Sequence, residues 1–132
     1  MCFQHISTGK LVYSCQYHVI FCPKYRRKVL VHPLDARIKE LILEKQGEYE
    51  YIVLDMEVMP DHVHLLIDVN PIVGVNKVVG RIKGWTSNRI RTEFPWMKSR
   101  LPSLWTRSRF ISTAGAVTLE VVKEYIENQK GK

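Results

Sequence analysis

The sequence predicts an α+β fold in which an antiparallel sheet carries helices on one face. Segments of period two and segments of period 3.6 follow each other in the order strand, helix, strand, strand, helix, strand, helix. The first six match the split β-α-β-β-α-β arrangement, and the seventh adds a C-terminal helix. The chain has 132 residues, which is the size of one ordinary domain. We therefore expect a single domain over residues 1–132.

The first strand and the first helix occupy the N-terminal third. Residues 11–22 are rich in valine, tyrosine, isoleucine and phenylalanine and alternate loosely, which is typical of a long strand or a hairpin arm. Pro33 and Asp35 are helix-start signals, and apolar residues follow them at helical spacing. Gly47 is expected to end this helix.

Two further strands are predicted next, at residues 51–59 and 63–69. Pro60 and Asp61 lie between them and favour a tight turn. A sharp turn between two short strands indicates an antiparallel hairpin.

The second half supplies two helices and one strand. Residues 73–94 carry an apolar stripe close to period 3.6, and Pro95 is expected to end this long helix. A strand is predicted at residues 107–113. The last helix is predicted at residues 118–129, with Thr118 as its N-cap.

The positive charge of the chain lies in its second half. Lys and Arg number 20 against 13 for Asp and Glu, a formal net charge of +7. Residues 1–70 have 8 basic and 9 acidic side chains, whereas residues 71–132 have 12 and 4. Such an excess is expected where one surface faces a polyanion, although charge alone equally fits a protein that is merely basic.

Several protein classes are excluded. No apolar run approaches the roughly 20 residues that span a bilayer, and the chain does not start like a signal peptide. The three cysteines, Cys2, Cys15 and Cys22, cannot all pair and form no Cys-x-x-Cys, which argues against a disulfide framework or a cysteine zinc site. We expect a cytoplasmic protein with no membrane partner.

The first candidate for chemistry is His62-Val63-His64, directly after the turn. Successive side chains on a strand point to opposite faces, so His62 and His64 share a face, about 7 Å apart along the chain. Two imidazoles at this separation can meet one metal ion. Two half-exposed histidines with no ligand fit the same pattern.

The second candidate is the pair Tyr125 and Gln129 on the last helix. They are four residues apart and therefore lie on one helix face, with Tyr125 at the edge of the apolar stripe. A tyrosine at such an edge usually packs with its hydroxyl in water. Neither residue argues for a function until it is combined with the histidines.

Four segments together form a recognisable pattern. Residues 59–67 read Met-Pro-Asp-His-Val-His-Leu-Leu-Ile, and residues 18–28 combine an apolar strand with a basic exit. Residues 110–115 and 124–129 read Phe-Ile-Ser-Thr-Ala-Gly and Glu-Tyr-Ile-Glu-Asn-Gln. These segments resemble the HUH signature (histidine, hydrophobic residue, histidine), the first strand, the C-terminal strand and the tyrosine helix of small single-tyrosine transposases. The resemblance spans nearly the whole chain in the right order.

The resemblance implies a site and a reaction. In this family two histidines and an amide one turn past the tyrosine bind a divalent metal, which here implies His62, His64 and Gln129. The tyrosine, here Tyr125, attacks single-stranded DNA, forms a 5′-phosphotyrosine and releases a 3′-OH. A DNA 3′-OH then reverses the linkage at a new junction. The family binds DNA hairpins and works as a homodimer, and in several members the active sites are shared between subunits.

The implied ligands mix nitrogen and oxygen without thiolate, which suits Mg²⁺ or Mn²⁺. No nucleotide cofactor is expected, because the covalent intermediate keeps the phosphodiester energy and the chain has no Gly-x-x-x-x-Gly-Lys-Ser/Thr loop. Asp61 either orients a histidine or shapes the turn. The predicted nucleic-acid contacts are cations of the basic connector and the long helix: Lys24, Arg26, Arg27, Lys28, Lys77, Arg81, Lys83, Arg89 and Arg91.

Three other functions stay open. A related HUH endonuclease that processes repeats or replication origins shares every catalytic residue. A non-catalytic module that binds structured nucleic acid requires Tyr125 and the histidines to be coincidental. A zinc hydrolase is the most distant, since no third His, Asp or Glu has the spacing of a ligand.

Overall fold

The structure is a computed structural model that describes residues 6–8, 11–13, 15–114 and 119–129. Its strands are β1 (Ile6–Thr8), β2 (Leu11–Tyr13), β3 (Gln16–Phe21), β4 (Tyr51–Met59), β5 (His62–Val69) and β6 (Phe110–Thr113). Its α-helices are α1 (Leu34–Glu44), α2 (Gln46–Tyr49), α3 (Val75–Glu93), α4 (Met97–Arg100) and α5 (Leu119–Glu127). Across these described ranges, no helix is long and apolar enough to cross a membrane.

Four strands form one antiparallel sheet in the order β4-β5-β3-β6. β1 and β2 form a separate antiparallel pair. The succession β3-α1-β4-β5-α3-β6 is the split order with β3 and β5 in the centre, which is the ferredoxin-like topology. The predicted fold class is confirmed.

One face of the sheet packs against α1 and α3. Val19, Phe21 and Leu65 of the central strands point to this side and are fully buried. The helices cover them with residues that recur at helical spacing: Leu34, Ile38, Leu41, Ile42, Val78, Val79, Ile82 and Ile90. Because side chains alternate along a strand, the residues in between face the opposite side of the sheet.

Polar contacts join α1 to α3 and α1 to the sheet. Arg37 of α1 donates two hydrogen bonds to the Glu93 carboxylate of α3, at 2.7 and 2.9 Å. Arg89, one turn before Glu93, approaches the same carboxylate at 3.0 Å. The buried Tyr51 hydroxyl donates to the Ile42 carbonyl and so joins β4 to α1.

The opposite face carries Ile20, His64 and Phe110 side by side, because they pair in register across β5, β3 and β6. Tyr125 of α5 packs on this face, with its ring centroid 5.3 Å from that of Phe110. The C-terminal helix therefore lies on the other side of the sheet from α1 and α3.

The predicted strand over residues 11–22 is divided. β2 ends at Tyr13 and β3 begins at Gln16, and the two strands belong to different sheets. The composition of residues 11–22 predicts an extended chain, but it cannot show that the chain changes its pairing partner between Tyr13 and Gln16.

Gly47 does not end the first helix, so that prediction was wrong. The chain runs through it as α2 and turns at Glu50, whose φ is 60°. The first helix already ends at Glu44, and α2 ends at a left-handed residue that is not glycine, since the Glu50 N–H bonds to the carbonyls of Gln46 and Gly47. The predicted N-cap Thr118 lies outside the described residues.

Candidate active site

His62 and His64 lie on the side of β5 that faces away from α1 and α3. The turn at Pro60 brings His62 opposite Met59, which starts the β4-β5 hairpin in the predicted register. Val63, between the histidines, points into the core and is fully buried. Both imidazoles therefore share the face on which α5 packs.

The preceding carboxylate orients His62. Asp61 Oδ1 lies 2.9 Å from His62 Nδ1, so Nδ1 donates to the carboxylate and Nε2 is the ring nitrogen on the other side. The other Asp61 oxygen is 3.4 Å from Arg26 Nε. A carboxylate that holds a histidine in this way fixes the ring and raises its basicity as a ligand.

His64 has an imidazole partner that the sequence pattern did not identify. His18 Nδ1 and His64 Nε2 are 3.1 Å apart, so one ring donates and the other accepts. Burial lowers the pKa of His64, and the neighbouring His18 and His62 lower it further, which keeps the ring neutral at pH 7. Neutral imidazole is the form that binds metals. Only the pairing of β3 with β5 reveals this contact.

The Tyr125 hydroxyl is the candidate nucleophile of the site. It is buried and has no hydrogen-bond partner within the described part of the chain. Burial raises the pKa of Tyr125, and nearby Ser108 opposes that rise. The raised pKa keeps the phenol neutral at pH 7, and the Ser108 hydroxyl donates to Gln129.

Gln129 lies one turn past Tyr125 and is 5% exposed. Its amide oxygen accepts a hydrogen bond from Ser108 Oγ at 2.5 Å. The structure thus brings Tyr125, Gln129 and Ser108 together. The sequence analysis placed Ser108 in a strand over residues 107–113, but β6 begins at Phe110 and Ser108 lies in the loop before it, so its role was not predicted.

Arg26 joins the two parts of the site. Its guanidinium contacts Asp61, donates to the Ile126 carbonyl at 3.0 Å and reaches Glu127 Oε2 at 3.2 Å. Tyr25 and Arg26 both adopt left-handed backbone conformations, with φ of 61° and 50°, which aims this side chain inward. The turn before His62 and the last turn of α5 are therefore held by one cation.

The donor chemistry of the predicted ligands fits a divalent cation. Two imidazoles and one amide oxygen supply nitrogen and oxygen donors, and the Asp61 contact uses only one of the two His62 ring nitrogens. Among the described residues, no group of three His, Cys, Asp or Glu side chains is placed to hold a metal. The Gln129 amide oxygen, the third predicted donor, is bonded to Ser108.

The predicted nucleic-acid contacts divide by environment. Arg27, Lys28 and Lys77 are exposed, whereas Lys24, Arg26, Arg81, Arg89 and Arg91 are half-buried. Lys83 is 8% exposed and its ammonium faces backbone carbonyls, so it is not available to phosphate. This environment does not fit the predicted phosphate contact, and helical periodicity could not show it, because a loop distant in sequence covers this one charged position.

The exposed connector lines a basic cleft of about 320 Å³, bounded by Arg27, Lys28, Val29, Arg100 and Leu101. None of the described residues that line it is acidic. Beside it, the half-exposed ring of Trp96 lies 5.5 Å from the Arg100 guanidinium. Arg100 was not predicted, because α4 is too short to show a periodic basic face.

The family model described as "Transposase IS200 like" matches residues 11–129. The ISDra2 transposase TnpA of Deinococcus radiodurans is 36% identical over 123 residues, which cover 92% of this chain and 88% of the relative. The transposase for insertion sequence element IS200 of Salmonella typhimurium is 30% identical over 120 residues, 89% of this chain and 78% of that protein.

Two solved structures have a fold similar to that of this chain. A crystal structure of a Deinococcus radiodurans R1 protein assigned as a transposase superposes with a TM-score of 0.86 at 31% identity, over 96% of this chain and all of that one. A REP-associated tyrosine transposase bound to a REP hairpin shares the fold, with a TM-score of 0.56 at 11% identity over 92% of this chain and 69% of its own.

The fold and the matched relatives define a DNA transposase as the class of protein. Within that class, this chain belongs to the IS200-like transposase family.

Proposed function

We propose that this transposase cleaves and rejoins single-stranded DNA through a 5′-phosphotyrosine on Tyr125, with a divalent metal held by His62, His64 and Gln129. One observation carries the proposal. A single guanidinium, that of Arg26, contacts both the carboxylate that orients His62 and the last turn of the helix that bears Tyr125. The candidate ligands and the candidate nucleophile thus belong to one assembly.

In the proposed reaction, Tyr125 Oη attacks the phosphorus, an O–P bond to the tyrosine forms, and the bond to the 3′ oxygen breaks. The phenol proton leaves, and the released strand end becomes a 3′-OH. A later attack by a DNA 3′-OH reverses both changes. Bond energy is conserved through the intermediate, so no nucleotide is consumed.

The residues supply the following roles. Burial keeps the Tyr125 phenol neutral before reaction, so it must be activated when DNA arrives. Asp61 and Arg26 hold His62, and Ser108 holds Gln129. A bound Mg²⁺ or Mn²⁺ supplies Lewis-acid stabilisation of the phosphate oxygens.

We propose that the DNA backbone follows the basic cleft. Leu30 N donates to the Pro60 carbonyl at 3.0 Å, so the connector that lines the cleft is bonded to the turn before His62. A strand at the candidate site therefore passes unpaired cations within a few residues. DNA hairpins as the recognised substrate, and a homodimer that shares its active sites, are part of this proposal.

A covalent adduct with DNA tests the proposal. Labelled single-stranded DNA with a hairpin is incubated with the protein and Mn²⁺ or Mg²⁺, and adducts are separated on denaturing gels. We expect the adduct in the native protein, none with EDTA or in Tyr125→Phe, and strong reduction in His62→Ala. Tyr49→Phe is the matched control, because this half-buried tyrosine lies on the helical side of the sheet.

An adduct that survives in Tyr125→Phe would remove the nucleophile assignment. DNA binding without an adduct under either metal would favour the non-catalytic module. For the dimer, a mixture of Tyr125→Phe and His64→Ala chains should recover cleavage if one site draws on both subunits.

A further inference from the structure

The segment before β6 is held by an unusual buried cation. Lys83 of α3 donates from Nζ to the carbonyls of Thr106 at 2.6 Å, Ser108 at 3.3 Å and Arg107 at 3.5 Å. An ammonium has three protons, so these carbonyls match its full donor capacity. None of the salt bridges within the described residues involves Lys83, so its interior partners are backbone groups.

Burial lowers the pKa of Lys83 to about 8, and the nearby Arg109 lowers it too. The side chain therefore remains charged near neutral pH. The three carbonyls belong to consecutive residues of an irregular loop, and one ammonium donates to all of them. This cation thus helps to hold residues 106–108 against α3.

The position of this loop matters because Ser108 reaches the candidate site. Its hydroxyl donates to Gln129 Oε1 at 2.5 Å, and it is near enough to Tyr125 to affect the phenol. Two further bonds anchor the same loop: Thr106 N to the Cys22 carbonyl at 3.0 Å, and Trp105 Nε1 to Thr86 Oγ1 at 2.9 Å. Neither of them restrains Ser108 directly.

We propose that Lys83 is a positioning residue of the transposase site: it fixes the Ser108 backbone so that the Ser108 hydroxyl orients the Gln129 amide. The inference deepens the proposed function, on which the role of Gln129 as a metal ligand rests. Lys83 itself touches neither DNA nor metal.

A double-mutant cycle on Lys83 and Ser108 tests the proposal. Lys83→Met keeps the length of the side chain and removes the donors, and Ser108→Ala removes only the hydroxyl. We expect each to weaken Mn²⁺ binding, measured by calorimetry, by about 10-fold, since partners that orient a ligand typically contribute 10–100-fold. The double variant should be no weaker than Lys83→Met alone, because both changes break one chain of contacts.

Lys39→Met is the matched control, since it removes an exposed lysine from α1 and should leave Mn²⁺ affinity unchanged. The ¹⁵N side-chain amide signal of Gln129 in metal-free protein gives a second readout, which should shift in Lys83→Met and Ser108→Ala but not in Lys39→Met. If Lys83→Met does not fold, Lys83→Arg and Ser108→Ala carry the cycle.

Losses that simply add, or an unmoved Gln129 signal in Ser108→Ala, would overturn the proposal. Failure of the proposed function is recognised separately. If the native protein forms no DNA adduct, the proposed reaction is wrong. The Gln129 amide signal of the metal-free protein still shows whether Lys83 and Ser108 position Gln129.

Discussion

The Glu93 carboxylate, shared by Arg37 and Arg89, makes a measurable prediction about pH. Hydrogen bonding by Arg37 is the main cause that lowers the pKa of Glu93 to about 2, from an ordinary value of 4.5. At 1.36 kcal/mol per pH unit, this difference corresponds to about 3 kcal/mol of stability at pH 7. A quarter of the Glu93 side chain is exposed and both arginines are partly solvated, so solvent screening reduces the expected value to about 2 kcal/mol.

The sign follows from which state binds the proton first. The carboxyl in the folded protein has the lower pKa, so as pH falls the unfolded chain is protonated earlier and folding is disfavoured. The stability from Glu93 is fully present above about pH 4.5 and is lost as pH falls to about 2. Glu93→Gln should therefore differ most from the native protein at neutral pH.

Urea unfolding followed by far-UV circular dichroism measures this difference. We expect Glu93→Gln to lower the free energy of unfolding by about 2 kcal/mol at pH 7 and by less than roughly half of that at pH 3. Glu40→Gln is the control, because Glu40 approaches the same arginine at 3.9 Å but is 68% exposed. A difference that stays constant from pH 7 to pH 3, or equal losses in both variants, would refute the reasoning.

Three further predictions concern other parts of the fold. Arg26→Gln should speed hydrogen exchange in α5 while the sheet stays protected, and unchanged exchange would show that the arginine does not hold the helix. Leu41→Ala should lower the free energy of unfolding by about 2–5 kcal/mol, because Leu41 is fully buried, whereas Leu43→Ala on the exposed side should cost little. Burial raises the pKa of the Cys22 thiol to about 12. In a variant that lacks Cys2 and Cys15, Cys22 should therefore react with a disulfide reagent at pH 8 only after the protein unfolds.

The elements were predictable wherever local pattern decides structure. The strand over residues 51–59 agrees with β4 at both ends, and the turn before His62 lies where expected. The alternation along β5 correctly placed both histidines on one face, since Val63 between them is in the core. Periodicity is sufficient to predict the face of each β5 side chain, because alternate residues point to the core and to the opposite side of the sheet.

The connections within the site were not predictable from pattern. The contact of His18 with His64 depends on the register of two strands, and a slip by one residue would remove it. Lys83 occupies a position on an amphipathic helix that looks solvent-facing until the loop that precedes β6 covers it. Arg26 appeared to be one cation among several in a basic connector, because its inward direction comes from two left-handed residues.

The Arg26 contact with Ile126 also determines an order of assembly. These residues are 100 positions apart, so closing the contact requires the sheet and the turn at Asp61 to exist already. We expect α5 to dock late in folding, as the last part to join a preformed surface. Under the proposed mechanism, a chain that has folded its sheet but not yet docked this helix has the histidines in place without the tyrosine nucleophile, and we expect it not to cut DNA until folding is complete.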